Sequence, residues 1–160
     1  MSSGKEHHYG VAVQWTGNTG TGTSNYAAFS RDHELSCDGK PTILGSSDPA
    51  FRGDAARWNP EDLLVASVAA CHKLWYLHLC AVAGVVVVAY VDEAEGVLVE
   101  DAQKGGFFSK IVLRPKVTIT PDSDPEKAAS LHEKAHEKCF IANSVNFPVT
   151  HEETIIRQAK

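Results

Sequence analysis

Asn59-Pro60-Glu61-Asp62-Leu63-Leu64-Val65-Ala66-Ser67-Val68-Ala69-Ala70-Cys71-His72-Lys73-Leu74-Trp75-Tyr76-Leu77-His78-Leu79-Cys80-Ala81-Val82-Ala83-Gly84 is the stretch on which the fold turns. Asn59 suits a helix N-cap, Pro60 the first helical position, and Glu61 and Asp62 place two acids where the helix macrodipole favours them. Small and apolar residues continue to Ala83, and Gly84 suits a terminator, so the stretch predicts a helix of roughly 36 Å at 1.5 Å per residue. Apolar on nearly all sides, such a helix is expected to be central and buried. Cys71-His72-Lys73 and His78 interrupt the run of about 20 apolar residues a bilayer requires, so no membrane span is expected.

Working outward, Val11–Trp15 reads as a strand, and the glycine and threonine turn from Gly17 to Gly22 suggests a hairpin with Tyr26–Phe29. Gly45 to Asp54, rich in Gly, Ser, Asp and Pro, reads as a loop. Beyond the helix, Val85–Tyr90, Gly96–Glu100 and Phe107–Thr120, the last two flanking a Lys104-Gly105-Gly106 turn, read as a meander of strands. Asp122 or Asp124 can cap a second, shorter helix with Pro125 at its first position, running through Glu126 to Cys139 or a little beyond. Phe147 to Ile156 reads as a final strand. The order is α+β with antiparallel sheets, and with no internal repeat or long linker the expectation is a single domain over residues 1–160.

The chain has 160 residues, 43% of them hydrophobic and 22% charged, with a formal net charge of -5. That length supports one sizeable core, and the apolar content excludes a disordered chain. Mild acidity gives no electrostatic basis for gripping nucleic acid or an anionic membrane, which points to small-molecule partners. Residues 1–8 carry no apolar signal core and read as a disordered tail, which suggests a cytoplasmic location. Cys37, Cys71, Cys80 and Cys139 are too few for a disulfide scaffold and suit reduced thiols, either reactive or packed in the core.

Asn59-Pro60-Glu61 at a helix start, Cys71 ten residues after the glutamate with small residues between, and Cys139-Phe140-Ile141-Ala142-Asn143-Ser144-Val145 far downstream resemble the OsmC/Ohr family. The segment order of the whole chain follows the same pattern. The resemblance implies an intertwined homodimer that reduces organic hydroperoxides, with Cys71 as the reactive cysteine and Cys139, at the family's position, as the resolving one. It also implies a glutamate and an arginine beside the reactive sulfur. Glu61 matches the motif directly. The family's arginine falls in a variable segment, where Arg52 is the first choice and Arg31 and Arg57 are alternatives.

A peroxidatic sulfur acts as thiolate, the form that attacks the O–O bond and becomes sulfenic acid. Cys71 lies too deep in the helix for the macrodipole, which fades within the first turn, so a cation has to activate it. An arginine held bidentately by Glu61 would serve. A second thiol converts sulfenic acid to a disulfide and protects it from overoxidation. Cys80, nine residues along the same helix, is about 13.5 Å away on the opposite face, beyond the roughly 7 Å limit for a disulfide. Cys37 sits in a Ser-Cys-Asp-Gly loop without support for such a role. Leu74 and Trp75, one turn after Cys71, can wall an alkyl peroxide. His72 points away from the sulfur, and His78 returns to its face; either can tune a pocket, although a satisfied core histidine is the simpler reading.

Leu131-His132-Glu133-Lys134-Ala135-His136 contains H-E-x-x-H, two histidines on one helix face with Cys139 nearly in line. A zinc site of His132, His136, Cys139 and Cys71 is therefore a rival, but the lysine-rich segment lacks the third ligand and the extension of the zinc proteases and reads as a solvated helical face. The leading reading is a peroxidase that needs no metal or organic cofactor and is reset by a dithiol, by resemblance a lipoyl group or a small thiol. A non-catalytic OsmC-like binding protein is the other alternative.

Overall fold

A computed structural model describes residues 4–159. They fall into two compact units, one up to Leu63 and the other from Leu64. Of the expected tail, residues 4–8 have no regular structure, and residues 1–3 lie outside the described residues.

The first unit is built on an antiparallel sheet in which β1 (Ala12–Trp15) pairs with β2 (His33–Ser36) and β2 pairs with β3 (Ile43–Gly45). The hairpin expected between β1 and Tyr26–Phe29 does not form. β1 takes β2 as its partner, from Ala12 opposite Ser36 to Trp15 opposite His33, and only an isolated bridge joins Asn18 to Phe29. The intervening loop folds back on itself through Trp15 Nε1–H to Ser30 O (2.8 Å) and Ser30 N–H to Gly17 O (2.9 Å). Gly17 permits that approach, because a Cβ there would stand 1.9 Å from Ser30 O. Within the expected loop, Gly45 ends β3, and Pro49–Phe51 forms a short 3-10 turn capped by Asp48 and closed by Arg52 at φ 65°.

Helix α1 spans Pro60–Ala83, as its punctuation predicts. Asn59 Oδ1 accepts from Asp62 N–H (2.7 Å), and the helix stops at Gly84, whose φ of 75° is the left-handed conformation of a C-terminal glycine. The expectation of burial on nearly all sides fails within the chain. Only the stripe Val68, His72, Tyr76, Cys80 is buried, while Leu74 and Val82 are 63% and 74% exposed. By length and composition α1 would cross a membrane; instead its stripe of one residue per turn packs into the core of the second unit.

That unit holds two three-stranded sheets, β4-β7-β9 and β5-β6-β8, made of β4 (Val87–Asp92), β5 (Glu95–Asp101), β6 (Gly105–Leu113), β7 (Pro115–Ile119), β8 (Val149–His151) and β9 (Thr154–Arg157). The expected meander is therefore divided. β5 and β6 form a hairpin, but the Phe107–Thr120 run breaks at Arg114, and β7 leaves to pair with β4. The break is fixed by Arg114 N–H donating to Asp92 Oδ1 (2.7 Å) and by the Arg114 guanidinium meeting Glu95 (3.0 Å) and Glu152 (3.2 Å). The final strand is likewise two, with β8 parallel to β6 and β9 parallel to β7, so each sheet is an antiparallel pair extended by one parallel strand. The α+β class stands with that refinement.

Helix α2 covers Pro125–Lys138, with Asp124 accepting from Glu126 and Lys127 N–H and Cys139 as its C-cap. One cluster joins Tyr76, Cys80 and Val85 to Val117 and Ile119 of β7 and to Ala128, Leu131 and Ala135 of α2. A second joins Val68 to Ile111, Leu113 and Val149. Val68 of α1 thus packs with β6 and β8, and Tyr76 and Cys80 with β7 and α2.

Candidate active site

The two helices bring two pairs of side chains together. The thiols of Cys71, midway along α1, and Cys139, at the exit of α2, are neighbours, and both are free. Cys71 is partly exposed, whereas Cys139 is 0% exposed. Burial is the main reason the Cys139 thiol is pushed up to about 11, with the Cys71 sulfur adding to it. Against burial work two backbone donors: Ala142 N–H points at Cys139 Sγ (3.4 Å), and Ile141 N–H also faces the sulfur. They belong to a turn that follows Cys139 and runs into a 3-10 segment, Ala142–Ser144, tied by Asn143 N–H to Cys139 O (3.0 Å) and Ser144 Oγ to Phe140 O (2.6 Å).

Beside the thiols, Leu74, Trp75 and His78 line a shallow apolar hollow of about 250 Å³. Trp75 is held edge-on by His78 at 5.9 Å and by the largely exposed Phe140 at 5.5 Å. Phe140, adjacent to Cys139 and packed edge-on against Trp75, is a neighbour of the hollow that sequence reading missed; its place directly after the second cysteine was the available signal.

The second pair is buried. His72 Nε2 and His132 Nδ1 face each other at 3.0 Å, and each residue is at most 1% exposed. One N–H serves that contact, and the outer nitrogens, His72 Nδ1 and His132 Nε2, have no partner among the described residues. Tyr76 stacks on His132 at 3.8 Å and donates its hydroxyl to Ala128 O (3.0 Å). His151 stands 5.8 Å from both rings, held by Glu153 (2.6 Å) and Glu133 (3.2 Å). Burial first, then neighbouring imidazoles, lowers His72 from 6.5 to about 4 and His132 to about 3, so both are neutral near pH 7.

This arrangement corrects the reading of the H-E-x-x-H segment as a solvated face. His132 turns inward to His72, and Cys139 goes to Cys71 instead of joining His132 and His136. Among the described residues no group of three or more His, Cys, Asp or Glu is arranged to hold a metal ion. Cys80 packs in the core against Tyr76, and Cys37 lies just after β2 in a surface cleft with Tyr9, Lys40 and Ile43.

The remaining candidates belong to the first unit. Glu61 occupies the first turn of α1, about 15 Å of helix axis before Cys71. Arg31 is committed to Phe29 O and Tyr26 O (2.7 Å each) and stacked on both rings. Arg57 pairs with Asp32 (3.5 Å) and Asp54 (3.8 Å). Arg52 is exposed, with its guanidinium 5.7 Å from the Tyr26 ring, and among the described residues neither it nor Glu61 makes an ion pair.

Residues 53–154 match the model of the OsmC-like protein family. An OsmC-like protein of unknown function from Vibrio cholerae is similar over 93% of this chain and all of its own, with 32% identity and a TM-score of 0.84. Two structures share the fold at lower identity. An organic hydroperoxide resistance protein OsmC from Legionella pneumophila has 20% identity and a TM-score of 0.67 over 94% of this chain and 99% of its own. An organic hydroperoxide resistance protein from Elizabethkingia anophelis, with thiocyanate bound, has 18% identity and a TM-score of 0.67 over 96% and 100%. No curated protein matches the chain in sequence. With the family model covering well over half of its length, the chain belongs to the OsmC-like protein family.

Proposed function

We propose that this protein is a thiol-dependent peroxidase that reduces organic hydroperoxides to alcohols. The observation that carries the reading is the Cys71–Cys139 pair, one sulfur partly exposed one helical turn before Leu74 and Trp75, which line the apolar hollow, and the other fully buried. Cys71 thiolate attacks the terminal peroxide oxygen, the O–O bond breaks, the alkoxide takes a proton to leave as alcohol, and the sulfur becomes sulfenic acid. Cys139 then attacks that sulfur and expels hydroxide, which leaves as water with the proton Cys139 gives up, and the disulfide protects Cys71 from further oxidation.

By family resemblance, Arg52 activates Cys71 once Glu61 engages its guanidinium; among the described residues it is free of the pairings that occupy Arg31 and Arg57. Glu61 is too far along α1 to touch the sulfur and acts on the guanidinium. A dithiol, a lipoyl group or a small thiol, resets the disulfide. The protein works as a single-domain homodimer in the cytoplasm, without a metal or organic cofactor and without a nucleic-acid or membrane partner. The apolar face that α1 leaves exposed supports the dimer, and the names of the Legionella and Elizabethkingia proteins agree with a peroxide substrate.

Stopped-flow oxidation of the reduced protein by cumene hydroperoxide and by hydrogen peroxide tests the reading. The wild type is expected to consume the organic peroxide far faster than a free thiol and faster than hydrogen peroxide, with Arg52→Ala slower than Arg31→Ala or Arg57→Ala. A wild type no faster than a free thiol favours the binding-protein alternative instead.

A further inference from the structure

We infer that the reductant enters the oxidised site from one side only: its thiolate attacks Sγ of Cys71 and expels Cys139 into the amide turn behind it. This rests on the proposed Cys71–Cys139 disulfide and adds which of its two sulfurs is attacked.

Thiol–disulfide exchange requires the incoming thiolate to reach one sulfur along the line of the S–S bond, and its rate depends on access and on how well the departing sulfur carries charge. The two sulfurs differ in access. Cys71 is partly exposed on α1, one turn from Leu74 and Trp75, which border an open hollow. Cys139 has no exposed surface and closes the end of α2. As a leaving group Cys139 is handicapped, its thiol pushed up to about 11 by burial, so access decides which sulfur is attacked. Ala142 N–H points at the buried sulfur (3.4 Å), and the hydrogen bonds from Asn143 to Cys139 O and from Ser144 to Phe140 O hold that turn in place. Charge developing on Cys139 Sγ meets the Ala142 N–H, which offsets part of the burial penalty.

The step balances as follows. The reductant thiolate forms a bond to Cys71 Sγ, the Cys71–Cys139 bond breaks, and its electron pair leaves on Cys139. Because burial holds the Cys139 thiol far above neutral pH, the departing thiolate takes a proton from solvent and becomes a thiol. Protonated, it is slow to re-attack the mixed disulfide. The second thiol of a dithiol reductant then attacks the reductant's own sulfur in that mixed disulfide, forming a cyclic disulfide and releasing Cys71 as thiolate. Two electrons pass from dithiol to protein, and Cys71 is the only protein atom the reductant bonds to.

The test uses the wild-type protein, oxidised with one equivalent of cumene hydroperoxide and mapped by mass spectrometry. A sample is then mixed briefly with 2-mercaptoethanol, quenched with acid, alkylated with N-ethylmaleimide and mapped again. The expected result is mercaptoethanol on Cys71 and maleimide on Cys139, in an excess of about tenfold or more over the reverse pattern. Mercaptoethanol on Cys139, or on both cysteines equally, overturns the inference while leaving the peroxidase reading intact. Absence of a Cys71–Cys139 disulfide in the first map overturns both.

Discussion

Cys71 and His72 are consecutive residues, yet the two layers they enter have opposite chemistry. Cys71 meets Cys139 at the edge of the core, beside an apolar hollow open to solvent. His72, turned 100° around the same helix, meets His132 where neither ring is more than 1% exposed. Both pairs join α1 to α2. Accessibility separates them: a reactive group needs an open path to its substrate, whereas the imidazole pair, cut off from water and held neutral, serves to fix the crossing of the two helices. The cost of burying it is visible in two nitrogens without partners among the described residues.

The comparison is broken most severely at the thiol layer. Cys71→Ser is expected to lower the organic-peroxide rate by roughly two orders of magnitude or more, because a hydroxyl offers no thiolate at neutral pH; stopped-flow consumption of cumene hydroperoxide reads it. Cys139→Ser is expected to keep the first turnover and lose sustained turnover with a dithiol.

Next in size is the acid response of the histidine layer. Unfolded histidines take up protons below about 6.5, whereas folded His72 and His132 resist them until about 4 and about 3, so over that window the unfolded chain binds more protons. The stability gained from this pair is fully present above pH 6.5 and is lost as pH falls toward 4. The loss amounts to as much as about 1.4 kcal/mol per pH unit for each proton excluded. His136, His151, Glu133 and Glu153 surround the pair, with His136 and His151 disfavouring protonation and Glu153 favouring it. Urea denaturation from pH 7 to pH 4.5 measures the slope, and a His72→Leu, His132→Met double variant should flatten it. An unchanged slope would show that the pair is not the source.

Smaller effects sharpen the contrast. Trp75→Ala, which removes one wall of the hollow, is expected to raise KM for cumene hydroperoxide about tenfold, equivalent to about 1.4 kcal/mol of lost apolar contact, and to leave KM for hydrogen peroxide nearly unchanged. Tyr76→Phe deletes the hydroxyl that bonds Ala128 O and is expected to cost about 1 kcal/mol of unfolding free energy, with the initial peroxide rate preserved.

The sequence made the helices legible because their signals are local: Asn59 with Pro60, Asp124 with Pro125, and Gly84 each act within one turn. The proximity of Cys71 and Cys139 was anticipated through family resemblance, with Cys80 set aside by helix length. Strand partners were hidden, because the break at Arg114 depends on Asp92, Glu95 and Glu152 arriving from elsewhere in the chain. The histidine pair was hidden for the same reason, with 60 residues between its members. Its presence inside an H-E-x-x-H segment pointed toward metal and solvent, while burial of His132 is set by α1, which no periodicity in α2 reveals. The all-round apolar pattern of α1 overstated its burial, since one stripe suffices for the core of a single chain.

The central claim is that Cys71 meets the peroxide and Cys139 resolves it. Peptide mapping of Cys139→Ser after one equivalent of cumene hydroperoxide, in the presence of dimedone, tests it most directly. The account predicts a dimedone adduct on Cys71 in the variant and a Cys71–Cys139 disulfide without adduct in the wild type. Unmodified Cys71 in the variant, or an adduct on Cys37 or Cys80 in its place, would contradict it.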